Sequence, residues 1–485
     1  MVLMNFLTFF FIIAFSIVTV GSLARKYGKR RYHPIAGTIF NQLLNFSRLH
    51  DYMTELASRY KTYRLVTPFR SEVYTSDPAN VEYILKTNFD NYGKGWLNNS
   101  ILQDLLGDGI FTVDGEKWRE QRKVSSHEFS ARALRDVSSR VFRENAAKLA
   151  NVVSEAVVSD QPMDMQELFM RSTLDSIFRV AFGSELDSWK EEGARFSRAF
   201  DDASEITARR YVDVLWRMKK ALNVGLEAKL KENVRVIDEF VYKLVLIHTK
   251  KMNDCEEGIL WRFVKVSEGD PKYLRDVVLN FVMAGKDTTA TTLSWFFYMM
   301  CKHPLSQEKA AKEIKQVMIM SSNNIQELSE EALDKMHYLH AALSETLRLY
   351  PPVPVNPKMC LSDDTLPDGF DVRRGDVVAY QPYAMGRMRF IWGDDAQHFR
   401  PERWLDHKGC FRQESPFKFT AFQGGPRICL GKEFGYRQMK ILSAVLLGLF
   451  AFRLSDEGKT VNYRTMINLH VDGGLILRAI ARSDL

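Results

Sequence analysis

One short stretch near the C-terminus decides how the rest of the chain is interpreted. It reads Phe422-Gln423-Gly424-Gly425-Pro426-Arg427-Ile428-Cys429-Leu430-Gly431-Lys432-Glu433-Phe434. The glycines and the proline force a tight, irregular turn, and the residues from Gly431 through Leu442 have a helical pattern. Cys429 is therefore expected at a helix N-terminus, beside the Arg427 guanidinium, with Phe422 able to cover its sulfur. The helix end, the cation and the loop amides each favour a thiolate over a thiol.

A thiolate in this setting could be a nucleophile, a redox thiol or a metal ligand. No histidine is spaced as the partner of a nucleophile, and no further ligands are spaced for zinc. An inert buried cysteine is the commonest state of a lone cysteine and stays open for the segment by itself. The five cysteines are scattered, odd in number and without a CxxC pair, which favours a reduced, cytosolic setting over a disulfide framework.

The segment resembles the FxxGxRxCxG pattern of the cytochrome P450 family at all its fixed positions. In that family the cysteine thiolate is the axial ligand of the haem iron, and the arginine contacts a haem propionate. The resemblance implies these roles for Cys429 and Arg427, with haem b as the cofactor and Phe422, Gly425 and Gly431 among the haem-binding residues. The implied fold is mainly α-helical with small β-sheets, in one large domain.

Three weaker motifs stand in the family's order. Trp118 and Arg122 resemble its WxxxR segment and share one helix face, which implies contacts to a propionate; alone, an amphipathic surface helix would explain them. Glu345 and Arg348 resemble its ExxR motif and, with Arg403 of Pro-Glu-Arg-Trp, imply a buried structural cluster. By itself a Glu/Arg pair three residues apart is most often an ordinary solvated pair.

Ala284-Gly285-Lys286-Asp287-Thr288-Thr289 interrupts a long apolar run, from 275 to 303. The Lys-Asp pair makes a membrane span costly, so a buried core helix is predicted. The stretch resembles the family's oxygen-groove motif, where the helix is distorted. The resemblance implies haem contact at Ala284 and a proton relay through Asp287 and Thr288, whereas a polar kink satisfied by partners is the plainer interpretation.

The N-terminus predicts a membrane anchor. Residues 1–24 carry no charge and are long enough to cross a bilayer. The basic residues that follow hold their flank on the cytoplasmic side and suit a signal-peptide cleavage site poorly. We expect a transmembrane signal anchor at 1–24, a basic flank and hinge at 25–37, and the catalytic domain at 38–485, tethered to the endoplasmic reticulum and facing the cytoplasm.

Strands are predicted at Tyr63–Val66, Glu72–Thr75 and Val377–Tyr380, and a helix at Leu339–Leu349. A C-terminal hairpin is predicted from Ile467–Val471 and Leu475–Ala479, joined by an Asp-Gly-Gly turn. A net charge of +7 is modest for 485 residues, and no nucleic-acid motif accompanies it.

The resemblance implies a monooxygenase that inserts one atom of O2 into a C–H bond. No flavin or nicotinamide domain is recognisable, so a separate NADPH-dependent flavoprotein reductase is implied. Its docking face is predicted near the thiolate, at basic residues that ordinary solubility would explain equally well. They are Arg119, Lys123, Lys432, Arg437 and Lys440.

The stretches Gly107–Phe111, Asp114–Trp118, Ser126–Phe129 and Phe169–Phe178 resemble the plant fatty-acid hydroxylase branch, which oxidises long-chain fatty acids at or near the terminal methyl. The predicted pocket residues are apolar and suit an alkyl chain, a terpenoid or a sterol. They are Leu105, Ile110, Phe281, Ala284, Thr288, Val353, Val355, Met466 and Ile467. Residues 252–273 are short for this branch. A hydroperoxide-rearranging enzyme and a haem-based sensor are the alternatives.

Overall fold

The apolar run between residues 275 and 303 forms a long buried helix at the centre of the fold, as predicted. The structure is a computed structural model that describes residues 35–67, 71–130, 132–184, 186, 188, 190–250, 259–321 and 328–482. The proposed anchor at 1–24, most of the basic flank, and residues 252–258 of the short segment lie outside these ranges. Within them, no helix has the length and apolar character needed to cross a bilayer.

Helices make up most of the molecule, which confirms the mainly helical prediction. In chain order they are α1 Ile39–Leu44, α2 Leu49–Arg59, α3 Pro78–Glu82, α4 Gly95–Leu106, α5 Gly115–Ser130, α6 Arg132–Val158, α7 Met165–Phe182, α8 Glu191–Arg209, α9 Trp216–Leu222, α10 Leu226–Lys250, α11 Ile259–Val266, α12 Pro271–Val282, α13 Thr288–Lys302, α14 Pro304–Ser321, α15 Glu330–Lys335, α16 His337–Leu349, α17 Pro382–Met385, α18 Arg389–Trp392 and α19 Lys432–Leu449.

Short strands form small sheets beside the helices. They are β1 Ile35–Thr38, β2 Thr62–Val66, β3 Ser71–Thr75, β4 Tyr92–Gly93, β5 Met163–Asp164, β6 Asn356–Cys360, β7 Asp364–Thr365, β8 Asp371–Val372, β9 Val377–Tyr380, β10 Phe450–Leu454, β11 Tyr463–Arg464, β12 His470–Val471 and β13 Ile476–Ala481. The largest sheet has the order β1-β2-β3-β9-β6-β4. The three strands predicted at 63–66, 72–75 and 377–380 are neighbours in it.

The predicted C-terminal hairpin is wrong. Strand β12 pairs with β11, and β13 pairs with β10 and with β5. The Asp-Gly-Gly turn is present, but Gly474 comes so close to Asp164 that a Cβ there would lie 2.1 Å from a carboxylate oxygen. The chain therefore turns around Asp164, and its two arms are drawn into different sheets.

Helices α12 and α13 are one continuous helix interrupted by a π-helical turn at Met283–Asp287. Helix α13 packs against α7, α16 and strand β10. At the turn the neighbouring helix comes very close, because a Cβ on Gly285 would lie 2.7 Å from Cδ1 of Ile177. The hydroxyl of Thr173 donates to the Lys286 carbonyl at 3.0 Å, which satisfies one of the acceptors that the turn exposes.

Candidate active site

Cys429 lies three residues before Lys432, the first residue of α19, in a loop whose shape depends on glycine. Gly425 has a positive φ of 63°, and a Cβ there would lie 1.9 Å from the Leu85 carbonyl oxygen. The Cys429 amide donates to the Phe422 carbonyl at 2.8 Å. The loop thus holds the cysteine against a cavity of about 430 Å³, which Phe422 and Gly431 also line.

The Cys429 side chain is exposed, and it forms part of the wall of this cavity. Burial raises its pKa, against the lowering effects of the Gly431 amide, Arg122 and Lys432. The loop amide and the two cations favour the thiolate, as predicted for a loop of this kind, and burial opposes them. The cations that act on the sulfur are not the predicted one, because the Arg427 side chain turns away from it.

Arg427 extends across the loop to the start of α5. Its guanidinium donates to the Val113 carbonyl at 3.2 Å and to Asp114 at 2.5 Å, and it lies 4.3 Å from the ring of Trp118. The pair predicted from the WxxxR spacing is close to it, since Trp118 and Arg122 both line the cavity. The structure therefore brings Arg427, Trp118, Arg122 and Cys429 together.

Two further cations of the cavity wall were missed by the sequence analysis. Lys94 and Lys358 both line it, and the Lys358 ammonium is buried with no hydrogen-bond partner, as is Nε of Arg427. Burial is the main reason that the pKa values of Lys94 and Arg427 fall, to about 8 and about 10. The signal available in the sequence was a lysine inside a buried strand, β6, where an unpaired ammonium is rare.

These residues fit a haem with two propionates. Three cations, Lys94, Lys358 and Arg427, interact with the carboxylate of Asp114, and a fourth, Arg122, lies close to Arg427. A buried unpartnered cation is costly, and two carboxylates would supply the missing acceptors. A sulfur on the same cavity can ligate iron, because thiolate is a recognised axial haem ligand.

The π-helical turn contributes Ala284 and Thr288 to the cavity wall. The Thr288 hydroxyl donates to the Ala284 carbonyl at 2.6 Å. Asp287 does not reach the cavity: it is 1% exposed and accepts hydrogen bonds from Lys286 at 3.0 Å and from Asn468 at 3.2 Å. The structure therefore separates the two members of the expected relay.

Lys286 links this turn to α8. Its ammonium is fully buried and pairs with Asp201 as well as with Asp287. Both anions raise the pKa of Lys286 although burial lowers it, so the lysine stays charged. Asp201 is the member nearest to solvent, with 31% of its side chain exposed, and burial raises its pKa to about 6.

Most of the predicted pocket residues line the cavity. They are Ile110, Phe281, Val353, Val355, Met466 and Ile467. Leu105 does not: it is completely buried in the apolar core beside α12, while its neighbours Leu102 and Leu106 face the cavity. Gly425 does not line it either, because it packs on Leu85.

Behind the site, Glu345 is the centre of a fully buried charge cluster. Its carboxylate accepts from Arg348 at 2.7 and 2.8 Å, from Arg403 at 3.0 Å and from the Trp404 indole at 2.9 Å. Arg348 also donates to the carbonyls of Gly386, Ala396 and His398. The predicted cluster is present, and its charges are satisfied within the protein.

The predicted docking residues differ in exposure. Arg119 and Lys123 are exposed and Lys432 is partly so. Arg437 is paired with Glu330 at 2.8 Å. Lys440 is 6% exposed and donates to the Leu333 carbonyl, so its prediction as part of a basic surface is wrong.

Comparison with known proteins agrees with this geometry. The family model for cytochrome P450 matches residues 28–475. Cytochrome P450 704C1 of Pinus taeda is 50% identical over 483 residues, which cover 93% of each chain. Cytochrome P450 704B1 of Arabidopsis thaliana is 42% identical, covering 96% of this chain and 98% of that relative. Cytochrome P450 94A1 of Vicia sativa is 36% identical, covering 86% and 84%.

The chain belongs to the cytochrome P450 family. It is accordingly a monooxygenase that uses haem b, O2 and NADPH-derived electrons delivered by a redox partner, and it acts on lipophilic substrates. The alternative of a haem-based sensor is set aside by this membership.

Proposed function

We propose that this monooxygenase hydroxylates long-chain fatty acids at or near the terminal methyl, with Cys429 as the ligand of the haem iron. The observation that carries the ligand assignment is the position of this sulfur on a cavity whose wall holds unpartnered buried cations. The wall beyond the cations is mainly apolar, which suits an alkyl chain. The stretches that resemble the plant fatty-acid hydroxylase branch support this substrate over a terpenoid or sterol.

A bound haem would supply the activation of O2, and Cys429 would provide its thiolate ligand. In the overall reaction one oxygen atom enters a C–H bond, and the other leaves as water with two electrons and two protons. Around the haem, the protein would hold the propionates with Arg427, Arg122, Trp118 and Lys358. The apolar cavity wall would orient the chain and exclude water.

Thr288 is the residue proposed to pass a proton into the cavity. Its hydroxyl lies on the cavity wall and is held by the Ala284 carbonyl. Asp287 could transfer a proton to this hydroxyl only after breaking its hydrogen bonds with Lys286 and Asn468. We therefore assign proton donation to the cavity to Thr288, and assign to Asp287 only the resupply of a proton to Thr288.

The surroundings of the enzyme are part of the proposal. Residues 1–24 would anchor the chain in the endoplasmic reticulum membrane, with 38–485 as the cytoplasmic catalytic domain. A flavoprotein reductase would dock at the face formed by Arg119, Lys123 and Lys432, since α5 and α19 both begin beside the Cys429 loop. Charge reversal at Lys123 should slow electron transfer most strongly at low ionic strength.

The test begins with the carbon monoxide difference spectrum of the dithionite-reduced protein and of Cys429→Ser. We expect the red-shifted band of a thiolate-ligated haem, and its loss in the variant. Purified enzyme with reductase and NADPH is then given saturated acids from lauric to stearic. If the enzyme oxidised another class of lipid and left these acids unchanged, the assignment of fatty acids as substrates would be overturned. Product without NADPH would favour the hydroperoxide-rearranging alternative.

The role of Thr288 is tested by the amount of product formed per NADPH consumed. Thr288→Ala should lower this ratio substantially, because a positioned proton donor typically contributes about 10²-fold or more to rate. Thr291→Ala is the matched control, since Thr291 is buried on the same helix and does not line the cavity. Equal coupling in Thr288→Ala and wild type would remove the assignment.

A further inference from the structure

Asp114 is a half-buried carboxylate at which three separate segments of the chain meet. It directly precedes α5, and its side chain is 35% exposed. One carboxylate oxygen accepts from the backbone N–H of Lys94 at 2.8 Å and from the Arg427 guanidinium at 2.5 Å. The other oxygen accepts from the backbone N–H of Gly95 at 2.8 Å. Asp114 is not among the residues that line the cavity of Cys429.

The carboxylate fits closely against the start of α4. A Cβ on Gly93 would lie 2.8 Å from one of its oxygens, so the chain comes as near to Asp114 as a glycine permits. The first N–H groups of a helix have no acceptor within the helix, and here Asp114 supplies one from outside. The start of α4 is thereby fixed to the start of α5.

Each of the three segments carries side chains of the cavity wall that fit a haem propionate. They are Lys94 beside the start of α4, Trp118 and Arg122 on α5, and Arg427 in the Cys429 loop. The segments are distant in sequence, since Asp114 and Arg427 are 313 positions apart. A carboxylate that bonds to all three segments therefore sets the spacing between these side chains.

Arg427 depends on Asp114 for the direction of its side chain. Its other contacts include the Val113 carbonyl at 3.2 Å and the ring of Trp118 at 4.3 Å. Both attract a guanidinium less strongly than a carboxylate does. Burial lowers the pKa of Arg427 and Asp114 opposes that effect, so the pair keeps the guanidinium charged inside the protein.

We propose that Asp114 is a positioning residue for the haem: it holds the Arg427 guanidinium in place for a propionate and fixes the start of α4 beside it. All three of its partners are hydrogen-bond donors, so a carboxylate can accept from each of them and an amide cannot. This inference rests on the proposed function for the role of Arg427 in binding the haem. It adds a residue that acts on the haem only through other side chains.

The first test is the rate at which the haem-loaded enzyme releases haem to an excess of apomyoglobin. Asp114→Asn keeps the size of the side chain but places an amide donor against one of the three donors. We expect haem release about tenfold faster than in the wild type, the effect of losing one hydrogen bond to a charged group.

Asp108→Asn is the matched control. Asp108 carries the same charge, its side chain is equally exposed at 35%, and it pairs with Lys117 on the same helix, α5, at 3.3 Å. This variant should release haem at the rate of the wild type. If the two variants release haem equally fast, the proposal is overturned.

A double-mutant cycle tests whether Asp114 acts through Arg427. Arg427→Met alone should release haem faster than the wild type, and adding Asp114→Asn to it should change the rate no further. Additive effects of the two substitutions would overturn the proposal. If Arg427→Met does not retain haem, the same cycle is measured by denaturant unfolding of the haem-free proteins, where a coupling of zero would overturn it.

The reduction potential of the haem iron is a readout that a structural role alone would not move in one direction. Reduction adds an electron, so removing the negative charge of Asp114 should favour the reduced state and raise the potential. Asp108→Asn should raise it less, because Asp108 is paired with an exposed lysine. A potential in Asp114→Asn at or below that in Asp108→Asn would contradict the placement of Asp114 beside the haem.

This inference and the proposed function fail in different experiments. Faster haem release in Arg427→Met, with Asp114→Asn unchanged from the wild type, overturns the inference alone. Long-chain fatty acids left unoxidised by the enzyme overturn the proposed substrate and do not affect the haem-release cycle, since no lipid enters it.

Discussion

The molecule has two clusters of buried charge, one around Glu345 and one around Asp114, and they differ in one respect. In the cluster around Glu345, every charge has partners inside the protein. In the cluster around Asp114, the Lys358 ammonium and Nε of Arg427 have none. Since an unpaired buried charge is destabilising, the second cluster makes sense only with a ligand. A satisfied cluster supports the fold, whereas an unsatisfied one indicates what the fold binds.

We expect the largest loss of stability when the cluster around Glu345 is disrupted. Glu345→Leu leaves Arg348 and Arg403 buried without their carboxylate, and should lower the free energy of unfolding by about 3–5 kcal/mol. Denaturant unfolding of the haem-free protein measures it. Glu232→Leu is the matched control, because Glu232 also pairs with an arginine three residues on, Arg235, but at the surface. Equal effects of the two substitutions would contradict the comparison.

Lys286 tests whether a satisfied cluster beside the cavity behaves in the same way. Lys286→Met leaves Asp201 and Asp287 facing each other without a cation, and should lower the free energy of unfolding by about 3 kcal/mol at neutral pH. Lys286 lowers the pKa of Asp201, which is about 6 in the wild type. Without the lysine the carboxyls protonate at higher pH and their repulsion is relieved there, so the loss should shrink as the pH falls toward 6. A loss independent of pH would show that the lysine matters for packing alone.

A substitution at Lys358 should change the free energy of unfolding in the opposite direction. Lys358→Met removes an unpartnered buried ammonium and should stabilise the haem-free protein by about 1–3 kcal/mol at neutral pH, while weakening haem retention. Burial depresses the pKa of Lys358 well below 10.5, so the unfolded chain binds the extra proton between the two values. Wild-type stability therefore rises with pH there, and the gain from the substitution should vanish near 10.5.

If the haem-free Lys358→Met variant were less stable than the wild type, Lys358 would have partners in the protein, like the charges around Glu345. Unchanged haem retention, measured by transfer of haem to an excess of apomyoglobin, would show that the haem is held by the other cations.

The smallest effect is expected at Lys94, which is only partly buried. Its pKa falls to about 8, so Lys94→Met should stabilise the haem-free protein slightly below pH 8 and leave it unchanged near pH 10.5. Thermal unfolding across this range is the measurement. A gain in stability of Lys94→Met over the wild type that grows with pH would contradict this prediction.

The parts of the site that follow from local sequence were predictable. The loop around Cys429, the helix after it and the pairing of Glu345 with Arg348 depend on residues close together in the chain. What could not be predicted depends on distant contacts. Asp164 drew the C-terminal arms into separate sheets, and Asn468 with Lys286 turned Asp287 from the cavity.

The two missed lysines and the state of the thiol show a second limit. A helix N-terminus and a nearby arginine favour a thiolate, but the degree of burial, which decides the pKa of Cys429, is a property of the whole fold. Lys94 and Lys358 are 264 positions apart, and only the packing of α4 against β6 brings them to one cavity.

The π-helical turn at Met283–Asp287 rotates the side chains that follow it, in α13, around the helix axis relative to those of α12. One added residue advances an α-helix by about 100°, so the apolar stripe of α12 and that of α13 are out of step by more than a quarter of a turn. Deleting a single residue there would rotate one half of the helix against the other and bring core side chains to the cavity. At this place the number of residues is constrained as strictly as their identity.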